Sequence, residues 1–171
     1  MHDYVRSFAV VADHVERRYG LPVILGDVLD PNTGDFNGEE IHVDAEQDAD
    51  LALYVLLHLF GHTAQWNTDA ELRELGLDVT PGKTDEELAR IYHYERAASQ
   101  MALTLLHEAG IRELDQWISD WFAADWRFLE HFYRTGERLP FRATFEPGAP
   151  LLDPLPIPRF KPTRWQSRWS F

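Results

Sequence analysis

The first twenty residues show a helical pattern of apolar positions. Apolar side chains recur there at three- and four-residue spacing, namely at Tyr4, Phe8, Val11, Val15 and Tyr19. Gly20 follows at the position where helices commonly end, and Pro22 cannot continue a helix. The pattern therefore predicts an amphipathic first helix that ends at Gly20.

Two short β-prone runs follow this helix. Residues 22–27 (PVILGD) and 39–44 (EEIHVD) lie on either side of the turn-rich sequence DPNTGDFNG. Branched aliphatic residues favour a pleated strand, whereas Pro, Gly, Asn and Asp favour turns. We expect two paired strands with a long connection, which would form a small sheet.

The densest apolar run, residues 51–60 (LALYVLLHLF), lies within a predicted helix of about residues 47–66. Acidic residues around the start of this helix suit its N-terminus, where the helix dipole favours negative charge. The run is about half as long as the roughly 20 apolar residues of a membrane helix, and it contains a histidine. We therefore expect a central helix that is buried on more than one side.

Two further long helices are predicted downstream. Thr84 and Glu87 have the spacing of a capping box, and the helical pattern that follows them continues to Gly110. The other helix comes next and ends at Gly136. The preceding residues 67–83 contain two glycines and a proline, so we expect an irregular segment there with one helical turn near its start.

From residue 139 onward the chain carries seven of its ten prolines, which favours an extended tail without a helix or a central strand. The last fourteen residues contain four cations and no acid, in contrast to a chain with a net charge of −13. This contrast favours a strap that packs over the protein's own body through Trp165, Trp169 and Phe171. An arm exchanged between the two subunits of a homodimer would bury the same aromatic side chains and bring the same opposite charges together.

Length and composition fit one globular domain. The 171 residues, of which 44% are hydrophobic, are enough for one sizeable core. We therefore predict an α+β fold of four main helices packed with a small sheet, as one domain of residues 1–138 with a tail of residues 139–171. The acidic charge opposes nucleic-acid binding, and the N-terminus lacks the pattern of a secretory signal, so we expect a cytoplasmic protein.

The chain has no cysteine, so a metal site would have to be built from His, Asp or Glu. In LLHLFGHTAQW the helical pitch places His58 and His62 one turn apart on one face, so both imidazoles can reach one ion. A third ligand must come from another element, and Glu95 on the next long helix is our candidate. Small residues around Glu95 allow the two helices to approach closely, and an acid in such packing needs a partner.

Other residues belong to the same neighbourhood. Tyr54 and Tyr92 each lie about one helical turn before one of these ligands and can donate a hydrogen bond to a bound molecule. Trp66 lies one turn after the second histidine and can form the wall of a pocket, although core packing is the simpler role for all three aromatic residues. Gly61, inside the helix, costs about 1 kcal/mol relative to alanine and indicates the close approach of a strand or ligand.

The same residues also allow an interpretation without a metal. In that interpretation His58 and His62 are buried histidines with ordinary hydrogen bonds. Glu95 then forms an ion pair with Arg96 or with a neighbouring arginine. The HxxxH spacing by itself does not separate this interpretation from a metal site.

The motifs LLHLFGHTAQW and YERAASQMALTLL resemble those of the ImmA/IrrE family of metallopeptidase-like proteins. The pattern of that family is HExxH, followed by a glutamate that opens an ExxAN motif. His58, His62 and Glu95 match the three metal ligands of the pattern, and Ala98 matches its alanine, whereas Ser99 stands in place of the asparagine. The resemblance implies a zincin-like core that binds zinc.

One departure from the family pattern bears on function. The residue after the first histidine, which the resemblance would make the general base, is Leu59, and leucine cannot take a proton. We therefore expect a zinc-binding, metallopeptidase-like protein that has a binding or regulatory role toward a protein or small-molecule ligand. Two alternatives stay open: a zinc-dependent hydrolase whose base is a loop carboxylate such as Asp69 or Glu71, and a metal-free structural or interaction module.

Overall fold

The computed structural model describes residues 1–29 and 31–165 together with the backbone of residues 169–170. Its α-helices are α1 (Tyr4–Tyr19), α2 (Ala49–Thr68), α3 (Ala70–Leu77), α4 (Asp85–Glu108) and α5 (Asp115–Thr135). Its strands are β1 (Val23–Gly26), β2 (Gly34–Phe36), β3 (Ile41–Asp44) and the two-residue β4 (Trp169–Ser170). The described residues thus form an α+β fold, as the sequence predicts.

The helix ends follow the capping signals of the sequence. Asp3 begins α1 by accepting a hydrogen bond from the backbone amide of Arg6, and Gly20 ends α1 in the left-handed conformation at φ 66°. Thr84 and Glu87 form the predicted capping box at the start of α4. Because the signals at Gly20 and at Thr84 act over only a few residues, the sequence alone was sufficient to place them.

The sheet contains a strand that the sequence did not reveal. The strand order is β1-β3-β2-β4, in which β1 is parallel to β3 and β2 is antiparallel to β3. The two predicted strands are β1 and β3, and their pairing is confirmed. Strand β2 lies in the segment interpreted as a connection, because its three residues stand among turn-forming residues. Its Phe36 is fully buried and joins β2 to the core.

The segment between α2 and α4 is more regular than the sequence indicates. It forms the eight-residue helix α3 instead of a single helical turn, so the described residues contain five helices where four main ones were predicted. Asp69 begins α3 by accepting hydrogen bonds from the backbone amides of Glu71 and Leu72 at 2.8 and 3.2 Å. This cap and the packing of α3 against the body stabilise a helix that its own short length would not.

Helix α2 forms the centre of the fold. All of its residues from Ala52 to Trp66 are buried, which confirms the prediction of burial on more than one side. Gly61 lies at a close approach of α2 and α4, because a Cβ atom at Gly61 would lie 2.4 Å from the backbone carbonyl oxygen of Ala98. The approaching element is therefore a helix and not the predicted strand or ligand.

Among the helices of the described residues, none combines the length and apolar character that crossing a bilayer needs.

The tail begins with a short helical element, contrary to the prediction. Residues Phe141–Thr144 form one 3-10 turn, which is possible because no proline lies inside those four residues. Farther along, the Phe160 ring stacks on Tyr19 at 5.8 Å, and the Trp165 backbone amide donates to the carbonyl oxygen of Asn37 at 2.8 Å. The side chain of Trp169 and all of Phe171 lie outside the described residues, and exchange of the tail between subunits stays a prediction.

Candidate metal centre

Three potential metal ligands meet between helices α2 and α4. His58 and His62 lie one turn apart on α2, and Glu95 faces them from α4. The three residues are 2%, 1% and 4% exposed, respectively. The structure therefore contains the predicted combination of side chains as a buried His-His-Glu cluster that could hold a metal ion.

The distances within the cluster fit a single small cation. His58 Nε2 and His62 Nε2 lie 3.0 Å apart, and Glu95 Oε2 lies 3.0 Å from the His62 atom and 3.6 Å from the His58 atom. Tetrahedral zinc with bonds of about 2.0–2.1 Å would separate its ligand atoms by about 3.3 Å. The observed distances bracket this value. Three protein ligands would also leave one coordination position for solvent or for a ligand atom.

Neighbouring side chains fix the orientation of His62. The amide nitrogen of Gln65 donates to the carbonyl oxygen of Tyr94 at 2.8 Å, so its Oε1 faces His62 Nδ1 at 2.9 Å. An amide oxygen only accepts hydrogen bonds, so His62 Nδ1 donates to Gln65, and Nε2 is the ring nitrogen turned toward the cluster. The His62 ring also stacks on Tyr94 at 4.6 Å and on Phe36 at 6.4 Å. His62 is thus held with its Nε2 atom toward the cluster.

A carboxyl group lies behind His58. Asp125 of α5 places its Oδ2 atom 3.5 Å from His58 Nδ1, and the same oxygen accepts a hydrogen bond from the Tyr54 hydroxyl at 2.8 Å. A carboxylate beyond the non-ligating nitrogen is a common arrangement around metal-binding histidines, because it orients the ring and raises the basicity of the ligand. The arrangement points His58 Nε2 toward His62 and Glu95.

Burial shapes the electrostatics of the cluster. Burial, followed by the proximity of His62, lowers the pKa of His58 well below its usual value, so the imidazole is neutral, which is the form that binds a metal. Burial, followed by the Glu95 carboxylate, raises the pKa of Asp125 well above its usual value. Two carboxyl groups thus share a region of low dielectric, where a cation between the ligands would offset their repulsion.

The predicted neighbours of the cluster divide into two groups. Tyr54 lies next to the cluster through its hydrogen bond to Asp125. Trp66 lies one residue farther away, since its indole N–H donates at 2.8 Å to the hydroxyl of Tyr94, whose ring covers His62. Tyr92 points elsewhere: its ring packs on Phe122 and Trp126 at 5.8 and 5.0 Å. For Tyr92, the simpler role of core packing is therefore the one observed.

The alternative pairing of Glu95 with an arginine is not seen. Within the described residues, the ion-pair distances to Glu95 come from His58 and His62 and not from Arg96 or another arginine.

Three residues around the cluster were not predicted, namely Gln65, Tyr94 and Asp125. Gln65 stands three positions after His62 and Tyr94 stands directly before Glu95, so helical spacing could have suggested both. Asp125 is remote in sequence from the cluster. Its one sequence signal is that it is an acidic residue within a helix rich in aromatic side chains.

The two loop carboxylates that the sequence suggested as a base, Asp69 and Glu71, both lie at the surface. Leu59 is fully buried and packs against Gly34 of β2, with its Cδ1 atom 2.9 Å from the place that a Cβ of Gly34 would occupy. Asp69 is exposed and caps α3, and Glu71 is exposed as well. The carboxyl group that does lie near the cluster is that of Asp125.

A cavity of about 440 Å³ lies beside the cluster. Tyr54 and Asp125 belong to its wall, whereas His58, His62 and Glu95 do not. A molecule in this cavity would therefore contact the two residues that stand behind the first histidine.

Comparisons of the chain with protein families, with curated proteins and with solved structures find no match.

Proposed function

We propose that this protein binds a divalent metal ion, with zinc as the expected ion, through His58, His62 and Glu95. The observation that carries the proposal is the geometry of the cluster: three buried ligand atoms lie at separations of 3.0, 3.0 and 3.6 Å. Two imidazole nitrogens and one carboxylate oxygen are a ligand set that zinc accepts readily, and calcium and magnesium prefer oxygen atoms alone. Bound zinc would supply a Lewis acid at this site.

The side chains around the cluster support the same proposal. Gln65 holds the His62 tautomer whose Nε2 can bind a metal, and Asp125 stands where it can orient His58. A buried carboxylate beside a second carboxyl group is costly without a cation. Because the ion would bind the folded chain only, it would stabilise the fold by about 4 kcal/mol at a free concentration a thousand times its dissociation constant.

We further propose that the protein is metallopeptidase-like in its core and has a binding or regulatory role instead of cleaving peptides. The support is the resemblance of its two motifs to the ImmA/IrrE pattern, together with Leu59 at the position of the base. A general base contributes about 10²–10⁴ in rate, so its loss opposes efficient peptide hydrolysis. The partner would be a protein or small molecule that contacts the metal or the surface beside it.

Metal analysis of the full chain tests the proposal. The protein is purified without immobilised metal, loaded with zinc, dialysed, and analysed for zinc per chain. We expect about one equivalent, and we expect His58→Ala, His62→Ala and Glu95→Gln to lose it. His93→Ala is the matched control, since His93 is an exposed histidine on the same helix as Glu95. Less than about a tenth of an equivalent in the unmutated protein would favour the metal-free interaction module instead.

A further inference from the structure

The cavity beside the cluster has the dimensions and the walls of a small-molecule site. Its volume of about 440 Å³ falls in the range of about 300–1,000 Å³ that such sites occupy. Most of the wall is apolar or aromatic and includes Leu51, Phe128, Leu129, Phe132 and Phe141. A bound molecule would therefore have a largely apolar body, whose burial would stabilise the complex.

The inner end of the cavity carries a polar group that can accept a ligand. Asp125 is 2% exposed and belongs to the cavity wall. Its Oδ2 atom accepts the hydrogen bond of Tyr54, whereas its buried Oδ1 atom has no hydrogen-bond partner among the described residues. Because a buried polar atom without a partner is costly, a ligand hydroxyl or N–H that displaces the side chains covering Oδ1 would gain a hydrogen bond and relieve that cost.

The outer end carries a positive charge. Arg138 lines the cavity and is exposed, and its guanidinium lies over the ring of Phe132 at 5.7 Å. It is not among the arginines that form ion pairs within the described residues, although the chain as a whole has a net charge of −13. An anionic group of the ligand would be attracted to this end.

We infer that this cavity binds a small, largely apolar organic acid, with its carboxylate at Arg138 and a hydroxyl or N–H group at Asp125. This inference adds a ligand site to the proposed metal site and does not depend on it, since none of the three metal ligands lines the cavity. Failure of either proposal is visible separately, because zinc content and ligand binding are measured independently.

The test uses anilinonaphthalene sulfonate, a fluorescent aromatic anion that carries an N–H group. The full chain is titrated with this probe, both without metal and after zinc loading. We expect saturable binding at one site per chain in both forms, and displacement of the probe by decanoate. Decanol, which lacks the charge, should compete about two- to fivefold less well than decanoate, and ω-hydroxydecanoate should compete better than decanoate.

Two variants locate the probe in the cavity. Val79 lines the cavity from an exposed position, so Val79→Trp should fill space there without disturbing the core and weaken binding about tenfold or more. Val5→Trp is its control, at an exposed residue of α1 outside the cavity. Arg138→Gln should weaken binding about two- to fivefold, while Arg90→Gln, at an exposed arginine of α4, should not.

Several results would overturn the inference. Absence of saturable binding, or equal weakening by Val79→Trp and Val5→Trp, would exclude the cavity as the site. Equal competition by decanol and decanoate would refute the role of Arg138. A second copy of the chain is the competing occupant: if sedimentation shows a dimer that Val79→Trp dissociates, the cavity is a subunit contact and the organic acid is excluded.

Discussion

Gly61→Ala tests how closely the two ligand-bearing helices must approach. Gly61 stands between the two histidines of α2, and an added Cβ atom would lie 2.4 Å from the carbonyl oxygen of Ala98 and 2.8 Å from its Cα. Ordinary contacts begin near 3.4 Å, so α4 would have to move away by about 1 Å. Since the obstacle is backbone, no side-chain rotation can avoid this shift.

Two opposing terms decide the effect of this substitution on stability. Alanine gains about 1 kcal/mol over glycine inside a helix, whereas overpacking that shifts the backbone costs about 1–3 kcal/mol, here toward the upper end of that range. We expect the free energy of unfolding to fall by about 1–2 kcal/mol, which corresponds to about 2–8 °C in the melting temperature of a chain of this size. Zinc affinity should fall as well, because a shift of about 1 Å exceeds the roughly 0.2 Å tolerance of metal–ligand distances.

Urea denaturation and a zinc competition assay measure both effects. Gly26→Ala is the control, because a Cβ atom there would meet nothing within 4 Å. Its stability should change by no more than about 0.5 kcal/mol. If Gly61→Ala is as stable as the unmutated protein and binds zinc equally well, then α2 and α4 do not form the tight contact on which the site depends.

Three further substitutions separate chemistry from packing. Leu59→Glu would place a charge in the core against Gly34, so it should lower stability by about 3 kcal/mol or more in urea denaturation and create no activity in a peptide-cleavage assay. Asp125→Asn should weaken zinc binding about 10- to 100-fold in competition with a chelating dye, because it weakens the orientation of His58. Thr84→Ala should remove about 1 kcal/mol of stability through loss of the capping box and leave zinc affinity unchanged.

The features that the sequence predicts are those that depend on local spacing. The capping box at Thr84, the end of α1 at Gly20 and the burial of α2 each arise from residues within a few positions of one another. The pair formed by His58 and His62 has the same origin, because helical pitch alone brings the two side chains to one face.

The features that the sequence does not predict depend on contacts between distant segments. Strand β2 has only three residues and exists because β3 pairs with it and Phe36 reaches the core. Asp125 lies on α5, and its position behind His58 follows from the packing of three helices, which no spacing rule encodes. Glu95 was a candidate because small residues surround it on the next long helix, and the resemblance of its motif to a known family pattern supports the same choice.

X-ray absorption at the zinc edge of the loaded protein tests the central claim most directly. If His58, His62 and Glu95 hold the ion, the spectrum will show nitrogen and oxygen neighbours at about 2.0–2.1 Å together with the outer-shell scattering of two imidazoles. Dialysed His58→Ala, which should lose the ion, should give no such spectrum, and His93→Ala should leave the spectrum unchanged. Zinc bound without imidazole scattering, or with a spectrum that His58→Ala does not alter, would contradict the site.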